Sequence, residues 1–215
     1  PYSSTSSNID SYFFNAFNKN KLDDLKILLD IDLFESAVIF CNKKNDINKV
    51  NTFLKKNNYK TVCLHGDMDQ SSRTNSLEEF KNKNADILVA SDVAARGIDI
   101  KDLSHVFNYD VPNNPEDYVH RIGRTGRAGK KGKAYTIFNE DDEKNILLIE
   151  KLIKKKIKKL NITDVATLTV IVADVAKNFI HINQCILDIN DTRFIRSERT
   201  TSSSLPTTGS NHRRV

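Results

Sequence analysis

No run of about 18 apolar residues, the length a helix needs to cross a bilayer, occurs in this chain of 215 residues. No signal-peptide pattern opens it either, and a membrane role is therefore not expected. The first residue is Pro1 rather than Met, which leads us to expect a cut or processed N-terminus. Cysteine is scarce. Cys41, Cys63 and Cys185 are widely spaced, form no CxxC pair and are odd in number, so neither a zinc site nor a disulfide framework is expected. Free thiols suit a reducing cytoplasm. The phosphate-cradling pattern Gly-x-x-x-x-Gly-Lys-[Ser/Thr] is also missing: Gly132-Lys133 would need a glycine at position 127, which is Arg127.

What is present is enough apolar material for one sizeable core, at 39%, and a charged fraction of 28% that marks a solvated surface. The net charge is +5, which permits a polyanionic partner without specifying one. Its distribution is more informative. Arg121, Arg124, Arg127, Lys130, Lys131 and Lys133 follow one another with no acid between them. A second run from Lys151 to Lys159 holds six lysines and no acid, and reads as a solvated helix face.

Composition changes near Leu160. Residues 1–160 hold 22 Lys and 5 Arg, residues 161–215 only 1 Lys and 5 Arg. We expect a linker and the start of the domain over 1–20, a domain over 21–160, and an extension of unknown fold from 161, disordered from about residue 200 where Ser and Thr dominate.

Within the domain, strand and helix patterns alternate. Helices are expected over Leu22–Leu29, Asp46–Asn57 and Gln70–Lys81, from Pro115 at a first helical turn, and from Asp141 to Lys159. Strands are expected at Ala37–Cys41, Thr61–Leu64, Asp86–Ala90 and His105–Tyr109, with Lys133–Phe138 as the last. The alternation predicts an α/β fold with a mainly parallel sheet covered on both faces, and ligands beyond the carboxyl ends of its strands.

Three segments are assigned to those ends. Gly66, in His65-Gly66-Asp67, precedes a helix start whose free N–H groups suit a phosphate, with Arg73 one turn in. Ser91-Asp92-Val93-Ala94-Ala95-Arg96-Gly97-Ile98-Asp99 combines small residues and Gly97 with Asp99, an acceptor for a ribose hydroxyl; Asp92 is equally a helix N-cap. His120-Arg121-Ile122-Gly123-Arg124-Thr125-Gly126-Arg127 spaces three arginines by three, poor core material but suited to phosphate contact and to transition-state charge.

In this order the segments resemble the C-terminal motifs of DEAD-box RNA helicases. Val38-Ile39-Phe40 resembles motif IV, Gln70-x-x-Arg73 the element after it, Ser91 to Asp99 motif V, and His120 to Arg127 motif VI. The resemblance covers residues 8–160, and LHGDMDQ, HVFNYDVP and PEDYVHRIGRTGRAG are especially similar to bacterial RhlE-type members. It implies a RecA-like three-layer sandwich, the C-terminal half of an ATP-dependent RNA helicase. Arg124 and Arg127 are then arginine fingers on the ATP γ-phosphate; Arg121 and His120 contact the other half; Asp99 and Gly97 lie at the nucleotide. Gly66, Arg73, Ser91, Asp92 and Arg96 lie along an RNA backbone read without sequence preference. Ser91 stands where the family usually has Thr. No Asp-Glu-Ala-Asp occurs, Glu140 to Glu143 being only an acidic helix start. ATP with Mg2+ would be held mainly by an N-terminal RecA-like domain of the same polypeptide. Two alternatives stand beside this reading: a non-catalytic RNA-binding or regulatory RecA-like module, and the equivalent half of a DNA helicase.

Overall fold

Short apolar segments separated by amphipathic ones can bury both faces of a sheet, and they do so here. The structure is a computed structural model that describes residues 8–16, 20–98, 100, 102–127 and 129–161. The elements run β1 (Ile9–Asn15), α1 (Lys21–Ile31), β2 (Ala37–Phe40), α2 (Lys44–Lys56), β3 (Thr61–Leu64), α3 (Gln70–Lys81), β4 (Ile87–Ala90), α4 (Asp92–Ala95), β5 (His105–Asn108), α5 (Pro115–Ile122), β6 (Gly132–Phe138), α6 (Glu143–Ile153) and β7 (Lys158–Leu160). They form one seven-stranded sheet in the order β3-β4-β2-β5-β6-β1-β7, parallel at every pairing.

Side chains alternate across the sheet, as the pleat requires. Val38 and Phe40 of β2 join Leu88, Val106 and Ala134 in a core that also takes in Phe80 of α3, Tyr118 and Ile122 of α5, and Ile146 and Ile149 of α6. Ala37 and Ile39 face the other way, with Val89, Phe107 and Ile137, onto Leu25, Leu28 and Leu29 of α1 and Ile47, Val50 and Leu54 of α2. Each fully buried Leu or Ile contributes about 1.5–3 kcal/mol, so the two faces together define the expected three-layer sandwich. Among the described residues no helix is long and apolar enough to cross a membrane.

Four expectations change. Residues 9–15, which fall in the expected linker and domain start, form strand β1 between β6 and β7, with Phe13 and Phe14 wholly buried. Lys133–Phe138 is not the last strand. The final helix stops at Ile153, Lys154 adopts a left-handed conformation (φ 54°), and β7 follows. The second lysine run is therefore no single helix face: it spans a helix end, a turn and an edge strand. Glu150 holds the turn, accepting from Ile157 N at 3.0 Å and Lys156 Nζ at 2.5 Å. The extension expected over 161–215 lies, after Asn161, outside the described residues.

Candidate functional site

Motif-like segments can act together only if the fold puts their side chains on one surface. The segment after β4 and the arginine-rich segment of α5 meet over one core cluster that holds Phe40 of β2, Ala95 of α4 and Ile122 of α5. Between them lies a groove of about 260 Å³ lined by Asp92, Arg96, Gly97, His120, Arg121 and Arg124, with Phe40 and Ala95 as its apolar floor.

Ser91, rather than Asp92, caps α4, its Oγ accepting from Ala94 N at 3.4 Å. Asp92 is thereby freed for a different task. Arg121 donates to it from Nε to Oδ1 at 2.7 Å and from NH2 to Oδ2 at 2.6 Å. The same guanidinium donates to Asn42 Oδ1 at 2.7 Å and to Asp110 O at 2.8 Å, with Asn108 Oδ1 at 3.5 Å, and it lies 5.2 Å above the Phe40 ring. With 1% of its surface exposed, Arg121 is the largest fully buried side chain described. A desolvated guanidinium is tolerable only when its donors are met, and here every nitrogen is.

The other basic groups are more open. Arg124 is half-buried and donates from NH1 to Ile98 O at 3.1 Å. Arg127 is exposed and donates from Nε to Gly123 O at 2.5 Å. Arg96, in motif-V position, pairs with Asp117 at 2.9 Å across the groove. His120 is exposed on its wall. Gly97 has φ +74° and open space beside it. Asp99, the ribose candidate, is outside the described residues.

Arg121 reaches the carboxyl ends of β2, β4 and β5 through Asn42, Asp92 and Asp110, whereas the segment beyond it does not stay there. That segment occupies the end of α5 and the turn beyond, which run back toward the amino ends: Thr125 bridges Leu103, just ahead of β5, and Leu103 N donates to Arg124 O at 3.2 Å. The geometric reason is that a helix following a parallel strand must return antiparallel to it.

Gly66 and Arg73 lie apart from the groove. Gly66 is exposed in the turn after β3, and Arg73 donates from NH1 to His65 O at 3.3 Å. The expectation of free N–H groups directly after Gly66 is also corrected. Asp69 caps α3, accepting from Ser72 N at 2.8 Å and Ser72 Oγ at 2.7 Å, so a carboxylate already serves that helix start. Asp67 is held by Lys44, whose hydrogen bond lowers its carboxyl pKa.

Sequence reasoning missed Asn42, Asn108, Asp110 and Asp117. The signal was there: Asn108 is polar, wholly buried and ends strand β5 next to the apolar pair Val106-Phe107, where it donates to Thr136 Oγ1 at 2.9 Å. Such a residue needs a partner, and its carbonyl side faces Arg121.

The family model of the helicase conserved C-terminal domain matches residues 20–129. Over 152 residues the chain is 43% identical to the DEAD-box ATP-dependent RNA helicase CshA of Streptococcus pneumoniae serotype 4, covering 71% of this chain and 29% of that protein. The chain thus spans under a third of the length of that relative. Among solved structures it is similar to a DEAD box protein from Methanococcus jannaschii (41% identity, TM-score 0.65, 72% of this chain and 42% of that one). It is also similar to Saccharomyces cerevisiae Dbp5 bound to RNA and ADP BeF3 (31% identity, TM-score 0.69, 79% and 46%).

Proposed function

Since this chain belongs to the helicase conserved C-terminal domain family, in the form found in DEAD-box proteins, we propose that it is the C-terminal RecA-like half of an ATP-dependent RNA helicase. In this reading it presents arginines to ATP and part of a surface to RNA. The observation that carries the reading is the groove in which Asp92, Arg96, His120, Arg121 and Arg124 converge from two separate segments.

Arg124 and Arg127 act as fingers on the γ-phosphate. Each has its guanidinium tethered to a backbone carbonyl, which reduces the freedom a finger must lose when it meets a phosphate. In phosphoryl transfer such a group contributes ~10³ to 10⁵ in rate. Asp99 and Gly97 serve the nucleotide's sugar side. Gly66, Arg73, Ser91 and Arg96 contact RNA phosphates and 2′-hydroxyls, giving binding without sequence preference. His120 faces the other half. Mg2+ bound with ATP would be held mainly outside this chain. Its ligands, like the phosphate cradle, would come from the N-terminal RecA-like domain. ATP and RNA together draw the halves closed and pry a short duplex apart, and hydrolysis releases them. The protein acts in the cytoplasm, and the connecting segments support a place near the RhlE-type members.

The test is ATP hydrolysis by the intact polypeptide, with and without single-stranded RNA. RNA-stimulated turnover is expected. Salt-sensitive RNA binding with no hydrolysis would reject this reading in favour of a non-catalytic RNA-binding module. Stimulation by DNA in place of RNA would favour a DNA helicase.

A further inference from the structure

A buried arginine is an unusual choice for a group meant to reach another domain. The Arg121 guanidinium is enclosed by the ends of β2 and β5 and by α4: Asn42, Asp110 and Asp92 take its donors at 2.6–2.8 Å. It lies one helical turn before Arg124, and Arg124 N donates to Arg121 O at 3.1 Å. A second tie joins the same two segments lower down, through Arg124 NH1 to Ile98 O at 3.1 Å. The segment from Ser91 to Ile98 and the segment from Arg121 to Thr125 are therefore pinned to each other at both ends.

Lysine cannot replace this fork. Its single nitrogen cannot span both oxygens of Asp92 while also meeting Asn42 and the Asp110 carbonyl. Charge alone is thus not what the position requires. It requires a planar group with donors on three sides, as expected where geometry must be transmitted.

We propose that Arg121 is a positioning residue that locks the RNA-facing segment headed by Ser91 and Asp92 to the turn carrying Arg124 and Arg127, and that it makes no contact with nucleotide or with the other half. The proposal deepens the helicase reading and rests on it for the ligands' identities. It makes the two segments one rigid unit. A shift of α4 on meeting RNA is passed directly to the arginines that meet ATP. Arg121 is the joint.

The experiment pairs Arg121→Lys with Asp92→Asn and reads amide hydrogen exchange on the full chain and ATP hydrolysis on the intact polypeptide. Exchange is expected to rise together in Asp92–Gly97 and Gly123–Arg127, with β2, β4 and β5 unchanged. Misplacing the fingers should lower RNA-stimulated kcat by ~10²-fold, with KM for ATP close to wild type. A rise in KM with kcat intact would instead mark a direct nucleotide contact and overturn the proposal, as would exchange that rises in one segment only or in neither. If Arg121→Lys fails to fold, Asp92→Asn, which keeps the guanidinium's other partners, decides on the same readouts. Loss of wild-type ATPase activity would count against the helicase reading alone, since the exchange pattern needs no hydrolysis.

Discussion

Asp92 and Arg121 stand 29 residues apart in the chain and share a bidentate ion pair at 2.6 and 2.7 Å, with the arginine 1% exposed. Removing the acid strands a buried charge. Asp92→Ala is expected to cost ~3 kcal/mol of unfolding free energy, read by urea denaturation. Asn42→Ala, which removes one neutral acceptor, should cost ~1 kcal/mol. Equal costs would mean that the guanidinium is neutralised by something other than Asp92.

Arg124 tests the finger assignment. Arg124→Ala in the intact polypeptide should lower RNA-stimulated ATP turnover by ~10³-fold while leaving RNA affinity near its wild-type value. Near-normal turnover would remove Arg124 from the reaction.

Asp32 sets an acid limit on stability. It accepts from Lys133 Nζ at 2.8 and 2.6 Å and from Tyr135 OH at 2.8 Å, and His105 Nε2 lies at 3.1 Å. Burial alone would raise its carboxyl pKa, but the hydrogen bonds from His105, Lys133 and Tyr135 outweigh this and hold it well below the ordinary range. A depressed acid stabilises fully above its unfolded value near ~4, and that contribution disappears as pH falls through the folded value. Asp32→Asn should therefore lose ~1–2 kcal/mol at neutral pH, with the gap to wild type closing below pH ~4. Parallel stability curves down to strongly acid pH would show that the charge of Asp32 contributes nothing.

Two glycines separate packing from ligand approach. Gly126 has φ +68°, and a Cβ there would sit 2.4 Å from Ile9 Cγ1. Gly126→Ala is expected to destabilise by ~2–4 kcal/mol. A Cβ on Gly66 meets nothing within 4 Å. Gly66→Ala should leave stability within ~0.5 kcal/mol yet weaken RNA binding measured by fluorescence anisotropy, because only an approaching backbone would feel the methyl. Unchanged affinity would take Gly66 out of the RNA surface.

Much of the architecture was legible from pattern. Four-residue apolar runs such as Ala37–Phe40 and Ile87–Ala90 suit strands buried on both faces, and the helices between them carry apolar stripes, so layer order follows from local periodicity. Strand β1 was not legible. Tyr12, Phe13 and Phe14 sit among Ser and Asn, and only pairing with β6, over a hundred residues later, makes them part of the sheet. The same limit explains β7, whose three residues, two of them lysines, acquire a strand's hydrogen bonds from β1 alone.

The sequence by itself determined which residue types were available for phosphate chemistry, because arginines spaced three apart among glycines are poor material for an apolar core face. Only the tertiary structure decided how they divide the work. Arg121, Arg124 and Arg127 share one local pattern, and yet the first is buried while the last is exposed. The difference comes from partners far along the chain. Asn42, Asp92 and Asp110 reach Arg121 because three parallel strands end beside one another, and a one-dimensional pattern does not contain that adjacency.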